Sequence, residues 1–205
     1  MPDAIIVEGP MAGGHLGIKK EALTDGSYIE TLEEILVPIV DYVRNELKSD
    51  VPIIVAGGVY TGDDIARFIK LGANGVQMAT RFIGTEECDA HPNFKQRFID
   101  AVEEDIVFVT SPVGYPGRAM KNKFTEDLSR GHLLPEYCVG CVKPCNGVVA
   151  ATPYCITEHL IKSVTGDVVD GLVFTGANGY RIKEITTVAS IVNEIVGEAN
   201  RSLAT

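Results

Sequence analysis

Val51-Pro52-Ile53-Ile54-Val55-Ala56-Gly57-Gly58-Val59-Tyr60-Thr61-Gly62-Asp63-Asp64 is the stretch that decides the fold. Its first six residues carry no polar side chain, so a strand here is buried on both faces, as strands of a parallel sheet are. Gly57 and Gly58 end it. Thr61 then caps a helix, and Asp63 and Asp64 put negative charge at the positive end of its dipole. The spacing predicts that this helix runs through Leu71 and stops at Gly72. A further strand follows over residues 74–79, Asn-Gly-Val-Gln-Met-Ala.

The same pattern precedes it. Residues 3–8 form a short apolar run that enters Gly9-Pro10-Met11-Ala12-Gly13-Gly14-His15-Leu16-Gly17. Ile29, Leu32, Leu36, Ile39, Val40, Val43 and Leu47 then recur at helical spacing and predict an amphipathic helix over residues 30–47. Pro38 inside it predicts a kink or two shorter helices. Strand, helix, strand, helix, strand argues for an α/β fold with parallel strands. Beyond Phe82 the alternation weakens. Residues 92–105 read as helix, 106–110 as strand and 114–131 as a basic, loop-rich stretch. A cysteine cluster, a helix over 157–164 and a last amphipathic helix carrying Ile185, Val188, Ile191, Val192 and Ile195 complete the chain. The expected organisation is a site-bearing part, 1–130, and a cysteine-containing, mainly helical extension, 131–205.

Composition narrows the function. A net charge of −10 disfavours nucleic acid and anionic membranes as partners, since both are bound through clustered Lys and Arg. No run approaches the roughly 18–20 apolar residues of a membrane helix. Met1-Pro2-Asp3 does not open a secretion signal, so a cytoplasmic location is expected. Cys138, Cys141, Cys145 and Cys155 have ligand-like spacing that suits zinc or an iron–sulfur cluster. Small buried cysteines are the other reading, and no metal is assigned.

Three motifs carry chemistry. His15, with glycines on both sides of it at the end of a strand, is the candidate catalytic residue, because imidazole is the commonest general base near neutral pH. Ala56-Gly57-Gly58-Val59 before a helix offers backbone N–H groups to an anion. Gly75-Val76-Gln77-Met78-Ala79-Thr80-Arg81-Phe82 ends the next strand, where Thr80 can hydrogen-bond the same anion and Arg81 either adds charge or pairs with Glu86 or Glu87. The last two motifs together form a two-loop phosphate grip.

In order and spacing, these three motifs resemble the nitronate monooxygenase (2-nitropropane dioxygenase) family over residues 3–124. They are similar as well to its sister group, the flavin-dependent enoyl-acyl-carrier-protein reductases. The resemblance implies a (β/α)8 TIM barrel, here its C-terminal portion plus an extension, with FMN as cofactor. It implies that Gly9 and Gly14 flank the flavin, that Gly57 and Gly58 hold its phosphate with Gln77, Met78, Ala79 and Thr80, and that His15 is the catalytic histidine. Met11 stands where Glu is common in the family, and Ala79 where Gly is usual. The implied activity is oxidation of alkyl nitronates (nitroalkanes) with molecular oxygen. The alternatives are NAD(P)H-dependent reduction of enoyl thioesters and a truncated, non-catalytic fragment or subunit. A full barrel has eight strands and about 250 residues, so a second chain supplying the remaining strands is an expected partner beside the small-molecule substrate.

Overall fold

The computed structural model describes residues 2–205 except 26, 29, 132, 136, 137, 139 and 142–151. Ile29 of the predicted helix and Cys145 of the cysteine cluster lie outside the described residues. The strands are β1 (Ile5–Glu8), β2 (Gly14–His15), β3 (Ile53–Ala56), β4 (Gly75–Gln77), β5 (Ile106–Thr110) and β6 (Pro116–Met120). The α-helices are α1 (Lys20–Thr24), α2 (Leu32–Asp41), α3 (Gly62–Lys70), α4 (Pro92–Ile99), α5 (Lys123–Arg130), α6 (Ile156–Val164) and α7 (Val188–Leu203).

The three apolar runs form one parallel sheet in the order β1-β3-β4, with Val7 beside Val55 and Ile54 beside Gly75. The central strand is the most buried: Ile53 and Val55 are closed from solvent and pack with Leu36 of α2 and Phe68 of α3. β1 is an edge, and its Ile6 is 59% exposed. A second sheet, β2-β6-β5, is antiparallel. The loop from Gly9 to Gly13 joins the two sheets, which among the described residues stay open rather than closing into a barrel.

Several expectations change. The helix with Pro38 is not split. α2 continues into a π-helical turn over Tyr42–Glu46, where Leu47 N–H reaches back five residues to Tyr42 O at 3.0 Å. The helix expected over 92–105 ends at Ile99, and Glu103–Asp105 is a separate 3-10 turn. The stretch 114–131 is no loop: it holds β6 and α5. Pro-Gly-Arg-Ala-Met shows no strand alternation because all five residues are buried, packed between neighbours on both edges and under Phe174, whose ring occupies the space a Gly117 side chain would need. α5 is capped reciprocally by Asn122 and Thr125. The last helix starts at Val188, capped by Thr187, so Ile185 precedes it.

Residues on both sides of position 130 share the remaining core. Phe98 and Met120 pack with Val173 and Ile182, and Phe124 packs with Tyr154 and Leu172. α7 lies on α3 so closely that a Cβ at Gly62 would strike the backbone of Ile195 and Ala199, so only glycine permits the approach. No described helix is long and apolar enough to cross a membrane.

Candidate functional site

The loops leaving the C-terminal ends of β1, β3 and β4 meet in a cleft of about 270 Å³, near the lower end of the roughly 300–1,000 Å³ typical of small-molecule sites. Gly57 and Gly58 stand at its base with φ of +87° and +91°, the left-handed region that favours glycine. A Cβ on Gly57 would come within 2.9 Å of Ala12 N and 3.0 Å of Gly9 O, so the loops touch only because no side chain is there. The N–H groups of Gly58, Ala79 and Thr80 meet no loop carbonyl and no side-chain acceptor among the described residues. Backbone donors left unpaired at a cleft form a cradle for an anion.

The helix N-terminus beside this cradle does not contribute as the sequence suggested. Asp64 Oδ2 accepts from Tyr60 N–H at 3.0 Å, from Thr61 N–H at 2.9 Å and from the Thr61 hydroxyl at 3.0 Å. Glu198 Oε2 accepts from Gly62 N–H at 2.8 Å. The first turn of α3 is therefore already satisfied by carboxylates of this chain. Burial alone would raise the Asp64 carboxyl, but these donors, with Arg67, hold it below the usual carboxylate range. The donors open to the cleft belong to the glycine loop and the β4 loop, not to the first turn of α3.

Gly14, Gly57, Gly58, Gln77, Met78, Ala79 and Thr80 all line the cleft; Gly9 and His15 do not. Gly9 lies beneath the first loop, where its N–H donates to Ala56 O at 2.9 Å and a Cβ would meet Leu32 at 2.9 Å. His15 sits on β2 of the other sheet, half-buried, with Nε2 2.7 Å from Ser111 Oγ. Its ring meets Phe174 edge-on at 5.2 Å, and Phe174 lines the cleft. Burial lowers the His15 pKa and so favours the neutral imidazole.

Two contributors lie outside the three motifs read from the sequence. The segment from Phe174 to Asn178 closes one wall of the cleft. Gly176 N–H donates to Thr80 Oγ1 at 3.1 Å, Ala177 N–H to Met11 O at 3.1 Å and Asn178 Nδ2 to Gly58 O at 2.8 Å, so it ties all three loops together. The available signal was Leu172-Val173-Phe174-Thr175-Gly176, another apolar run ending in glycine. The second is Arg118. It is buried with no carboxylate partner among the described residues, donates to Pro10 O at 2.8 Å and to Ala12 O, and lies 4.9 Å from the Phe108 ring centroid. Burial lowers its pKa to about 10, so it stays charged at pH 7. Arg81 pairs with neither Glu86 nor Glu87: it donates to Tyr60 O at 2.9 Å and to Glu194 at 2.7 Å.

The described cysteines Cys88, Cys138, Cys141 and Cys155 are not in disulfides, and no three metal-ligating side chains cluster among the described residues.

The nitronate monooxygenase family model matches residues 1–198. The chain belongs to the nitronate monooxygenase family. The match reaches past residue 124 and takes in the wall built by Phe174–Asn178. A probable nitronate monooxygenase of Staphylococcus aureus (strain Newman) is 34% identical over 129 residues, 62% of this chain and 34% of that protein. FabK of Thermotoga maritima superposes with a TM-score of 0.71 and 25% identity, covering 98% of this chain and 56% of FabK. A nitroalkane oxidase of Streptomyces ansochromogenes shares the fold at a TM-score of 0.69 and 22% identity, covering 98% of this chain and 53% of the oxidase. The chain thus spans about a third of its curated relative and about half of each solved structure.

Proposed function

We propose that the cleft binds FMN by its phosphate. On this reading the chain is the C-terminal, phosphate-holding portion of a (β/α)8-barrel oxidoreductase that oxidises alkyl nitronates with molecular oxygen. The observation that carries the reading is the set of N–H groups of Gly58, Ala79 and Thr80 with no acceptor in one cleft at the ends of parallel strands. A cradle that a single Cβ at Gly57 would fill suits a ligand bound by backbone. Thr80 accepts from Gly176 N–H, which leaves its own hydroxyl hydrogen free to donate to a phosphate oxygen. Arg118 adds positive charge from behind the first loop. Bound there, FMN supplies the electron transfer from the nitronate to oxygen. His15, close behind Phe174 and with burial favouring its neutral form, binds the substrate or moves a proton at an imidazole nitrogen. Strands outside this chain, from the same polypeptide or from a second one, complete the barrel and the other side of the flavin.

FabK likeness at 25% identity favours a second reading, reduction of an enoyl thioester by NAD(P)H. The visible spectrum of the chain after FMN addition and removal of the excess tests the cofactor. Oxygen uptake with a nitronate, against NAD(P)H consumption with a crotonyl thioester, separates the two reactions. Loss of all flavin on desalting rules out tight FMN binding by this chain.

A further inference from the structure

A phosphate monoester carries between one and two negative charges at neutral pH, and the cleft has no cation of its own to meet them. Among the described residues, its lining holds no lysine and no arginine, and its one carboxylate is Glu8. The backbone N–H groups of the cradle supply hydrogen bonds but only partial charge. The whole chain carries −10, so its distant charges repel an anion rather than draw it in. A counter-charge has to come from the rim.

The arginines near the cleft are not equally free. The Arg118 guanidinium, behind the first loop, is given to Pro10 O and Ala12 O. Arg81 is given to Tyr60 O and to Glu194. Arg181 is exposed, and its guanidinium meets no carboxylate and no hydrogen-bond acceptor among the described residues. It lies over the Tyr60 ring instead, with Cζ 4.2 Å from the centroid. Tyr60 lines the cleft two residues beyond Gly58. Burial raises the Tyr60 pKa, Arg81 and Arg181 lower it, and Glu194 raises it. Two positive side chains and one negative leave a net positive charge at this rim.

The fold holds Arg181 there. It ends the 3-10 turn Gly179–Arg181, which directly follows the wall segment Phe174–Asn178. A Cβ on Gly179 would strike Thr175 Oγ1 and come within 3.2 Å of Met120 Cε. The next residue, Ile182, is buried with Phe98, Met120 and Val173. The turn is thus anchored on both sides of Arg181. A guanidinium that stacks by its face on an aromatic ring keeps its edge N–H groups for a phosphate.

We infer that Arg181 supplies the full positive charge of the anion site: stacked on Tyr60 at the rim, it donates to the phosphate that the Gly58, Ala79 and Thr80 N–H groups hold, and so makes the cleft select a phosphorylated ligand over its unphosphorylated counterpart. The inference rests on the cleft being a phosphate site, as proposed above, and adds the residue that tells FMN from riboflavin.

Quenching of flavin fluorescence measures the affinities of the wild type, Arg181→Gln and Arg181→Lys for FMN and for riboflavin. Arg181→Gln should weaken FMN binding about tenfold, the worth of one charge-assisted hydrogen bond. Riboflavin binding and the melting temperature should stay nearly unchanged. Arg181→Lys, which keeps the charge and loses the fork, should fall between. An FMN affinity unchanged in Arg181→Gln overturns the inference. So does an equal loss for FMN and riboflavin, which would make Arg181 a prop for Tyr60. A second arm uses no flavin and decides alone if the chain retains none. The ¹⁵N-labelled wild type is titrated with inorganic phosphate at pH 6.5. The Arg181 Nε–H, assigned by its loss in Arg181→Gln, is followed beside the amides of Gly58, Ala79 and Thr80. All should shift together. Shifts in the amides alone overturn this inference and leave the cradle standing; no shift in any of them overturns both.

Discussion

The Arg118 guanidinium donates to the backbone carbonyl of Pro10 at 2.8 Å across 108 residues of sequence, and it also reaches Ala12 O. A buried cation therefore holds the first loop of the cleft in place. Arg118→Met fills the space but leaves both carbonyls without a donor. We expect a stability loss of about 1–3 kcal/mol in urea unfolding and weaker FMN binding. Unchanged FMN affinity would show that the first loop holds its shape without Arg118.

Gly58→Asp places a carboxylate in the anion cradle, at a φ of +91° that disfavours any side chain. FMN affinity, followed by quenching of flavin fluorescence, should fall by at least about tenfold, or ~1.4 kcal/mol. Gly58→Ala carries the backbone strain without the charge, so the difference between the two variants isolates repulsion of the phosphate. Equal losses would place the phosphate elsewhere.

His15→Ala should keep FMN, because His15 does not line the cleft. Turnover should fall by about 10²–10⁴-fold, the usual contribution of a positioned acid or base. A variant that instead releases the flavin would make His15 a structural part of the cofactor site.

Asp64 gives a pH dependence with a definite sign. Its pKa is lowered in the fold, so the unfolded chain binds its proton more readily. The stability it contributes is fully present above its unfolded value of about 3.9 and is lost as pH falls through the lower folded value. Asp64→Asn should be less stable at pH 7 by about 0.5–2 kcal/mol and should show a shallower acid loss. Parallel acid unfolding curves for the two proteins would remove Asp64 from this role.

Ile6 stands 59% exposed on the edge strand β1. Such an edge invites pairing with another strand. Ile6→Lys should lower self-association in analytical ultracentrifugation and leave the melting temperature nearly unchanged. A large fall in melting temperature would mean that Ile6 is packed against something in solution.

Part of this molecule was legible in order along the chain. The short apolar runs read correctly as β1, β3 and β4, although only the central β3 is buried nearly throughout, and Thr61 with Asp64 marked the start of α3. The glycines of the cleft were legible because a positive φ and a contact with no room for Cβ leave little choice of residue. β6 was not legible. A strand of proline, glycine, arginine, alanine and methionine has no local signature, and its burial depends on Phe174, which lies 54–58 residues further on.

By itself, the sequence determined the parallel sheet, its helices and the loops that line the cleft, because each of these is a local matter of periodicity, capping and backbone freedom. The tertiary structure alone decided three other things. It brought Phe174–Asn178 in as a wall of the cleft, aimed buried Arg118 at the first loop, and set His15 against Ser111 rather than in the cleft itself. Those depend on hydrogen bonds and packing between residues roughly 60 to 170 positions apart, where no local propensity reaches.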